Sequence, residues 1–272
     1  MTTVDISADL GESFGAYRLG DDEAMLDIVT SAHVACGFHA GDPQVMDRTV
    51  AACVARGVSV GAQPGFRDLV GFGRRAMEMT GHEITTDLIY QIGALRGFAA
   101  AHGTTVRHVS PHGSLANLAA VRADHAESIV DAVVAVDPAM TVVTQPGRLA
   151  DAARVRGLRV AIVGYADRAY RDDGTLVPRA EPGSVLTDPD EVVERVRRMH
   201  VDGVVRTVTG RDIELRCDSL LVHGDTPGAV GLARRISAAL RAAGVVLAAL
   251  PAADVMPAVV PVAVADHKEE EP

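Results

Sequence analysis

The sequence is almost without lysine. It holds 26 basic residues against 36 acidic ones in 272 positions, and the one lysine, Lys268, lies near the C-terminal end. A chain with no interior lysine has no Walker A phosphate loop, no Schiff-base lysine and no Ser-x-x-Lys nucleophile pair. Tryptophan is absent and aromatic residues make up 3% of the chain, which carries a net charge of −10. Such a surface repels phosphate backbones and offers little for bases to stack on, so nucleic-acid binding is excluded. Cys36, Cys53 and Cys217 are odd in number and outside any Cys-x-x-Cys spacing. That argues against a disulfide framework or a structural zinc site and for a reducing compartment. No secretory signal is visible after Met1, and a cytoplasmic location is expected. The apolar stretch from Val245 to Ala265 carries Asp254 and prolines at 251, 257 and 261, which a membrane helix would not.

What is present is a repeating order of short apolar run, polar loop and amphipathic helix closed by glycine. Asp42-Pro43 reads as an N-cap with proline in the first turn, and Gly57 as the stop of that helix. Val58–Ala62 follows as a strand. Thr80 and Glu83 fit a capping box ahead of Ile84, Leu88, Ile92 and Leu95 at helical spacing. Strands are expected at 106–109, 141–144, 159–163 and 220–222, and helices at 146–156, 188–200 and 227–243. A small hairpin is expected around Thr209-Gly210-Arg211-Asp212. This alternation predicts parallel strands joined by right-handed crossovers. Polar side chains follow nearly every strand: Asp9 and Glu12, His39 and Asp42, Gln63, His112, Asp167 with Arg168, and His223 with Asp225. A barrel gathers all its strand ends around one mouth, whereas an open sheet gathers only those at its switch point. The reading is therefore a single-domain, irregular (β/α) barrel over residues 1–250, with 251–272 a C-terminal extension disordered at its end.

Two pattern matches are not the motifs they resemble. Gly57-Val-Ser-Val-Gly61 has the spacing of a nucleophile elbow, but Ser59 sits inside an apolar strand. Gly71-Phe-Gly-Arg-Arg-Ala76 resembles a dinucleotide fingerprint but follows no strand, so it reads equally as an anion-binding loop or a solvated turn. Cys36 could act as a nucleophile, although a buried small apolar role is more common for a lone cysteine. His39 and His112 are candidates for base or ligand roles. His223-Gly-Asp225 repeats the design of His39-Ala-Gly-Asp42. Asp9 and Glu12 could share acid–base work if their environments separate their pKa values. Helix capping is the plainer alternative for Asp42 and Glu12. Asp9 and the histidines could also bind a divalent metal, though their spacing is not compact.

Taken together, Asp9-Leu-Gly-Glu-Ser-Phe-Gly15, Ala35-Cys-Gly-Phe-His-Ala-Gly-Asp42, Gly71-Phe-Gly-Arg-Arg75, Tyr90-Gln-Ile-Gly-Ala-Leu95, Pro111-His-Gly113, Ala166-Asp-Arg168 and His223-Gly-Asp225 resemble the LamB/YcsF family from about Val4 to Leu250. The resemblance implies an irregular barrel of the glycoside hydrolase/deacetylase type. It also implies ATP-dependent opening of 5-oxo-L-proline to L-glutamate, carried out with 5-oxoprolinase subunits B and C. On that basis Asp9, Glu12, His39 and His112 are assigned acid–base or water-activating roles. Asp42, His223 and Asp225 would orient them, while Arg74, Arg75, Asp167 and Arg168 would hold the substrate. The chain departs from the family pattern at Ser7, His33, Gln63, Ser110, Ala116 and Val163, all expected near the mouth. Losing a lysine from such a mouth removes a charge that a phosphate or oxyanion would use. The departures point to a paralogue with a changed substrate or reduced activity. The alternatives are a diverged amide hydrolase, metal-assisted through Asp9 and the histidines, and a non-catalytic barrel subunit.

Overall fold

A computed structural model describes residues 2–225 and 228–251. Ten strands and eight α-helices follow one another in it. The first half runs β1 (Thr3–Leu10), α1 (Asp22–Leu26), β2 (Ser31–Ala35), α2 (Pro43–Arg56), β3 (Ser59–Gln63), α3 (Gly81–Ala101), β4 (His108–Val109) and α4 (Gly113–Val121). Next come α5 (Ala123–Val136), β5 (Thr141–Thr144), α6 (Arg148–Val155), β6 (Arg159–Tyr165), α7 (Pro189–Arg197) and a π-helical turn (Arg198–Asp202). The chain continues with β7 (Val204–Arg206), β8 (Asp212–Glu214), β9 (Ser219–Val222), α8 (Ala229–Ala242) and β10 (Val246–Leu247).

Strands β1 to β6 and β9 pair in parallel in that order, and β9 returns to β1 through Asp5↔Ser219 to Ala8↔Val222. The barrel is thus closed with seven strands. β10 adds to the start of β1, outside the ring. The expected hairpin is the antiparallel pair β7–β8, within a long insertion between β6 and β9. The C-terminal extension lies outside the described residues apart from Pro251. Among the described residues no helix is long and apolar enough to cross a membrane.

Local signals place the helices. Asp42 Oδ1 accepts from Val45 N at 2.9 Å, Pro43 occupies the first turn, and Gly57 ends α2 at φ +67°. Thr80 and Glu83 cap α3 reciprocally, as a capping box requires. Asp188 and Pro189 open α7 in the same manner as Asp42 and Pro43 open α2.

The strands alternate, although both faces are buried. On β1, Val4, Ile6, Ala8 and Leu10 belong to the apolar shell that packs with helix residues such as Leu88, Ile92, Ile129 and Ile236. Asp5, Ser7 and Asp9, between them, are also buried but face the lumen, which is largely polar. Asp5 accepts hydrogen bonds from Thr30 at 2.6 Å, Ser31 at 2.7 Å and Ser219 at 2.5 Å, and Ser7 shares a 2.9 Å bond with Ser219. These bonds offset the desolvation of a carboxylate at the closed end of the barrel. A small apolar cluster, Val143, Ala161, Val163 and Leu221, fills one side of the lumen. Gly61 faces His108 so closely that a Cβ there would stand 2.0 Å from the imidazole Nε2.

The barrel interior is therefore expected to reject a methyl at Gly61. Gly61→Ala should lower the unfolding free energy in urea by about 1–3 kcal/mol. A Gly61→Ala/His108→Ala double variant should lose less than the sum of the two single variants.

Candidate functional site

The carboxyl ends of the barrel strands open into a cavity of about 420 Å³. Asp9 from β1, Gln63 from β3, His112 after β4, Tyr165 from β6 and His223 after β9 line it, with Arg74 from the Gly71–Arg75 loop and Arg168, Arg171 and residues 175–179 from the insertion. Asp9 is 6% exposed, and His33 Nδ1 lies 3.3 Å from its Oδ1. Burial alone would raise the Asp9 carboxyl pKa. The His33 hydrogen bond and the facing His223 outweigh that and hold the group ionised, below the ordinary carboxylate range.

Glu12 behaves in the opposite way. Burial, then the charges of Asp9 and Asp225, push its pKa well above the usual carboxyl value. The two acids thus have separated affinities for a proton, as acid–base chemistry requires. His39 is fully buried, and burial brings its pKa down to about 4, with Gln63 Oε1 3.3 Å from its Nε2. His112 is lowered as well, by burial and by His39, on which its ring stacks at 4.0 Å. Both imidazoles are therefore neutral near pH 7. His223 Nδ1 lies 2.7 Å from Asp167 Oδ1, and this pairing outweighs burial to keep the Asp167 carboxyl low. The carboxylate fixes the proton on Nδ1 and leaves Nε2 as the basic nitrogen.

Asp9, Glu12, His39, His112, Asp167 and His223 are thus gathered in or against one mouth. Asp225 faces it too, but pairs with Arg74 at 2.7 Å and orients no histidine. Three other residues have different placements. Asp42 caps α2 and accepts from Gly15 N at 2.7 Å, so it serves the loops. Arg75 turns away from the cavity to pair with Asp68, its side chain 67% exposed. Arg168 reaches the cavity wall but spends its guanidinium on the carbonyls of Ser184 and Val177, tying the insertion together. Burial and the neighbouring Arg179 bring its pKa down to about 10. Cys36 is buried, and burial lifts its thiol to about 12, which removes it as a nucleophile.

The Gly71–Arg75 loop is divided between its two arginines. Phe72 has φ +54°, a left-handed conformation costly for an aromatic residue. The strain places its ring edge-on to both imidazoles, 6.0 Å from His39 and 5.2 Å from His112, with the Arg74 guanidinium 4.8 Å above it. Gly113, at φ +56°, makes the approach possible, because a Cβ there would stand 2.6 Å from Gly73 O. Phe72, His108 and Arg179 were not singled out from the sequence. Only Phe72 carried a signal, its place between two glycines. Of the departures from the family pattern, Gln63, Ser110 and Ala116 line the mouth. Ser7, His33 and Val163 lie deeper, inside the strands, so the changes extend into the lumen.

Glu12, His39 and His112 each offer a ligand atom within 4.8 Å of the others. Glu12 Oε1 and Nδ1 of both histidines have no hydrogen-bond partner among the described residues. Two neutral imidazoles and a carboxyl suit a zinc-like cation. The rings are only 14° from parallel, so their in-plane lone pairs run side by side, and a shared cation needs one ring to turn. The compact set contains Glu12, whereas Asp9, which was expected to join the histidines, has Oδ1 3.3 Å from His33 Nδ1.

Residues 4–255 match the model of the LamB/YcsF family. The chain is 50% identical over 246 residues to the 5-oxoprolinase A component of Mycolicibacterium paratuberculosis, covering 90% of this chain and 98% of that one. It is 51% identical over 247 residues to the 5-oxoprolinase A component of Streptomyces avermitilis, covering 90% and 99%. The crystal structure of the lactam utilization protein of Thermus thermophilus superposes with a TM-score of 0.87 at 43% identity, covering 92% of this chain and all of that one.

His108 supplies a pH test of the lumen. Burial, then His33, pushes its pKa well below the ordinary value, so the fold favours its neutral form. The stability this gives is complete above about pH 6.5 and is lost as acid protonates the unfolded chain first. As pH falls from 7.5 to 5, the unfolding free energy of His108→Gln should decline less steeply than that of the wild type in urea titrations.

Proposed function

Because the chain belongs to the LamB/YcsF family, we propose that it opens 5-oxo-L-proline to L-glutamate as the A component of an ATP-dependent 5-oxoprolinase completed by partner subunits B and C. The observation that carries this reading is the identity of about half, over nine-tenths of the chain, to proteins named as that component of 5-oxoprolinase. The mouth has chemistry to match. His223, held by Asp167, takes a proton from the water that attacks the lactam carbonyl. Glu12, whose carboxyl burial pushes well above the usual pKa, gives a proton to the ring nitrogen as the C–N bond breaks. The fixed charge of Asp9 favours the imidazolium that forms on His223.

A five-membered lactam is a stable amide, and ATP would supply phosphorylation of the amide oxygen with loss of ADP; one water then opens the activated ring to an acyl phosphate, and a second water releases phosphate to leave L-glutamate. The chain has no interior lysine and no Walker A loop, and three of the four arginines in the mouth are already engaged beside Asp9, Asp167 and Asp225, which does not suit a triphosphate. No phosphoryl step is therefore assigned to this chain, and that handling belongs to the partners. A cation, if one is used, would be held by Glu12, His39 and His112 and would polarise the carbonyl. The unpartnered atoms of those three side chains favour a metal-assisted amide hydrolase as the second reading.

The test is glutamate release from 5-oxo-L-proline by this chain mixed with its cognate partner subunits, with and without ATP. Release should require ATP and fall about 10²- to 10⁴-fold in His223→Asn, with Arg75→Gln unchanged. An assembled complex that releases no glutamate overturns the proposal and favours a non-catalytic barrel. For the second reading, zinc titrated calorimetrically into the chelator-treated chain should bind at one equivalent in the wild type and at least about tenfold more weakly in Glu12→Gln.

A further inference from the structure

Four arginines line the mouth cavity: Arg74, Arg168, Arg171 and Arg179. Three are engaged. Arg74 pairs with Asp225 at 2.7 Å, Arg168 donates to the carbonyls of Ser184 and Val177, and Arg171 pairs with Glu181 at 2.6 Å. Among the described residues the half-buried guanidinium of Arg179 has no hydrogen-bond or ion-pair partner. An unpaired, partly desolvated cation is costly, and the cost is recovered when a complementary anion binds.

The backbone beside Arg179 is held in place. Ser184 Oγ donates to Arg179 O at 3.1 Å, and Arg168 fixes Val177 two residues earlier. An anion meeting this guanidinium finds it on a positioned segment, which lowers the ordering cost of binding. The surrounding charges limit which anion fits. The charges that act on Arg179 are Arg74 and the neighbouring Arg168, opposed by Asp225, Asp167 and Asp9. Asp225 is taken up by Arg74 and Asp167 by His223, so the unpaired Arg179 offers one positive charge, which suits a single carboxylate better than a polyanion. A planar carboxylate also matches the two-pronged guanidinium better than it matches a point charge.

We propose that Arg179 is the anion-recognising residue of the mouth, reading the single carboxylate of a small amide substrate and setting its selection over neutral amides. The lactam identity of that substrate rests on the reading above, whereas the carboxylate subsite does not. Inorganic phosphate is the competing source of an anion at the same place.

The experiment is isothermal titration of the full chain with 5-oxo-L-proline, 2-pyrrolidinone (the same ring without the carboxylate), L-glutamate and inorganic phosphate. The wild type is expected to bind 5-oxo-L-proline at least about tenfold more tightly than 2-pyrrolidinone. Arg179→Gln should bring the two together by weakening only the carboxylate ligand. Arg179→Lys should keep part of the preference, which also shows that the segment still folds. Arg75→Gln should leave both affinities as they are. A preference that survives Arg179→Gln overturns the proposal, as does loss of phosphate binding alone in that variant. Binding of L-glutamate through Arg179 with no binding of either lactam would keep the subsite and end the lactam reading. No binding of any carboxylate would end both.

Discussion

One buried negative charge sets the electrostatics of this barrel. Asp9 sits at the end of β1, shielded from water and hydrogen-bonded to His33. It remains ionised because His33 and His223 reward the charge more than burial penalises it. Its neighbours respond to that charge. It adds to the burial that pushes up the Glu12 carboxyl and the Tyr165 hydroxyl, and it partly opposes the burial that keeps His39 neutral. A barrel lined with apolar layers could not separate the proton affinities of its groups in this way. The polar lumen is what makes the mouth chemically versatile.

Such a lumen needs support from below. Asp5 with Thr30, Ser31 and Ser219 closes the opposite end with a set of short hydrogen bonds, and Ser7 joins them through Ser219. His33 and His108 fill the middle, edge to face at 5.1 Å, and Gly61 gives up its side chain so that the second ring fits. The departures from the family pattern at Ser7, His33 and Val163 lie in these inner layers. They can change the charge and shape seen at the mouth without touching a ligand, which is how packed interiors transmit a substitution.

The local grammar of the chain was readable. Asp42-Pro43, Thr80 with Glu83, and Asp188-Pro189 each start a helix because capping depends on neighbours three or four residues away. Gly57 and the β7–β8 turn follow the same short-range rule. The alternation of Thr3–Leu10 carried more than the pattern of short apolar runs conveyed. Its polar positions, Asp5, Ser7 and Asp9, are the lumen-facing set. The roles within the site were less legible. Asp167 and His223 stand 56 positions apart and meet only when β9 lies beside β6. The adjacent arginines 74 and 75 share one loop, yet one turns to Asp225 and the other to Asp68.

By itself the sequence determined the repeating strand–helix order, the caps, the family resemblance and the set of groups able to do chemistry at the strand ends. Those properties follow from residue type and spacing along the chain. Tertiary structure alone decided that seven strands close the ring, that Glu12 and not Asp9 joins His39 and His112, and that Asp225 serves an arginine. It also brought Arg179 to the mouth, from an insertion with no periodic signal. The physical reason is that these pairings join residues far apart in sequence. Their energies depend on burial and on the direction of each side chain, which exist only once the barrel has closed.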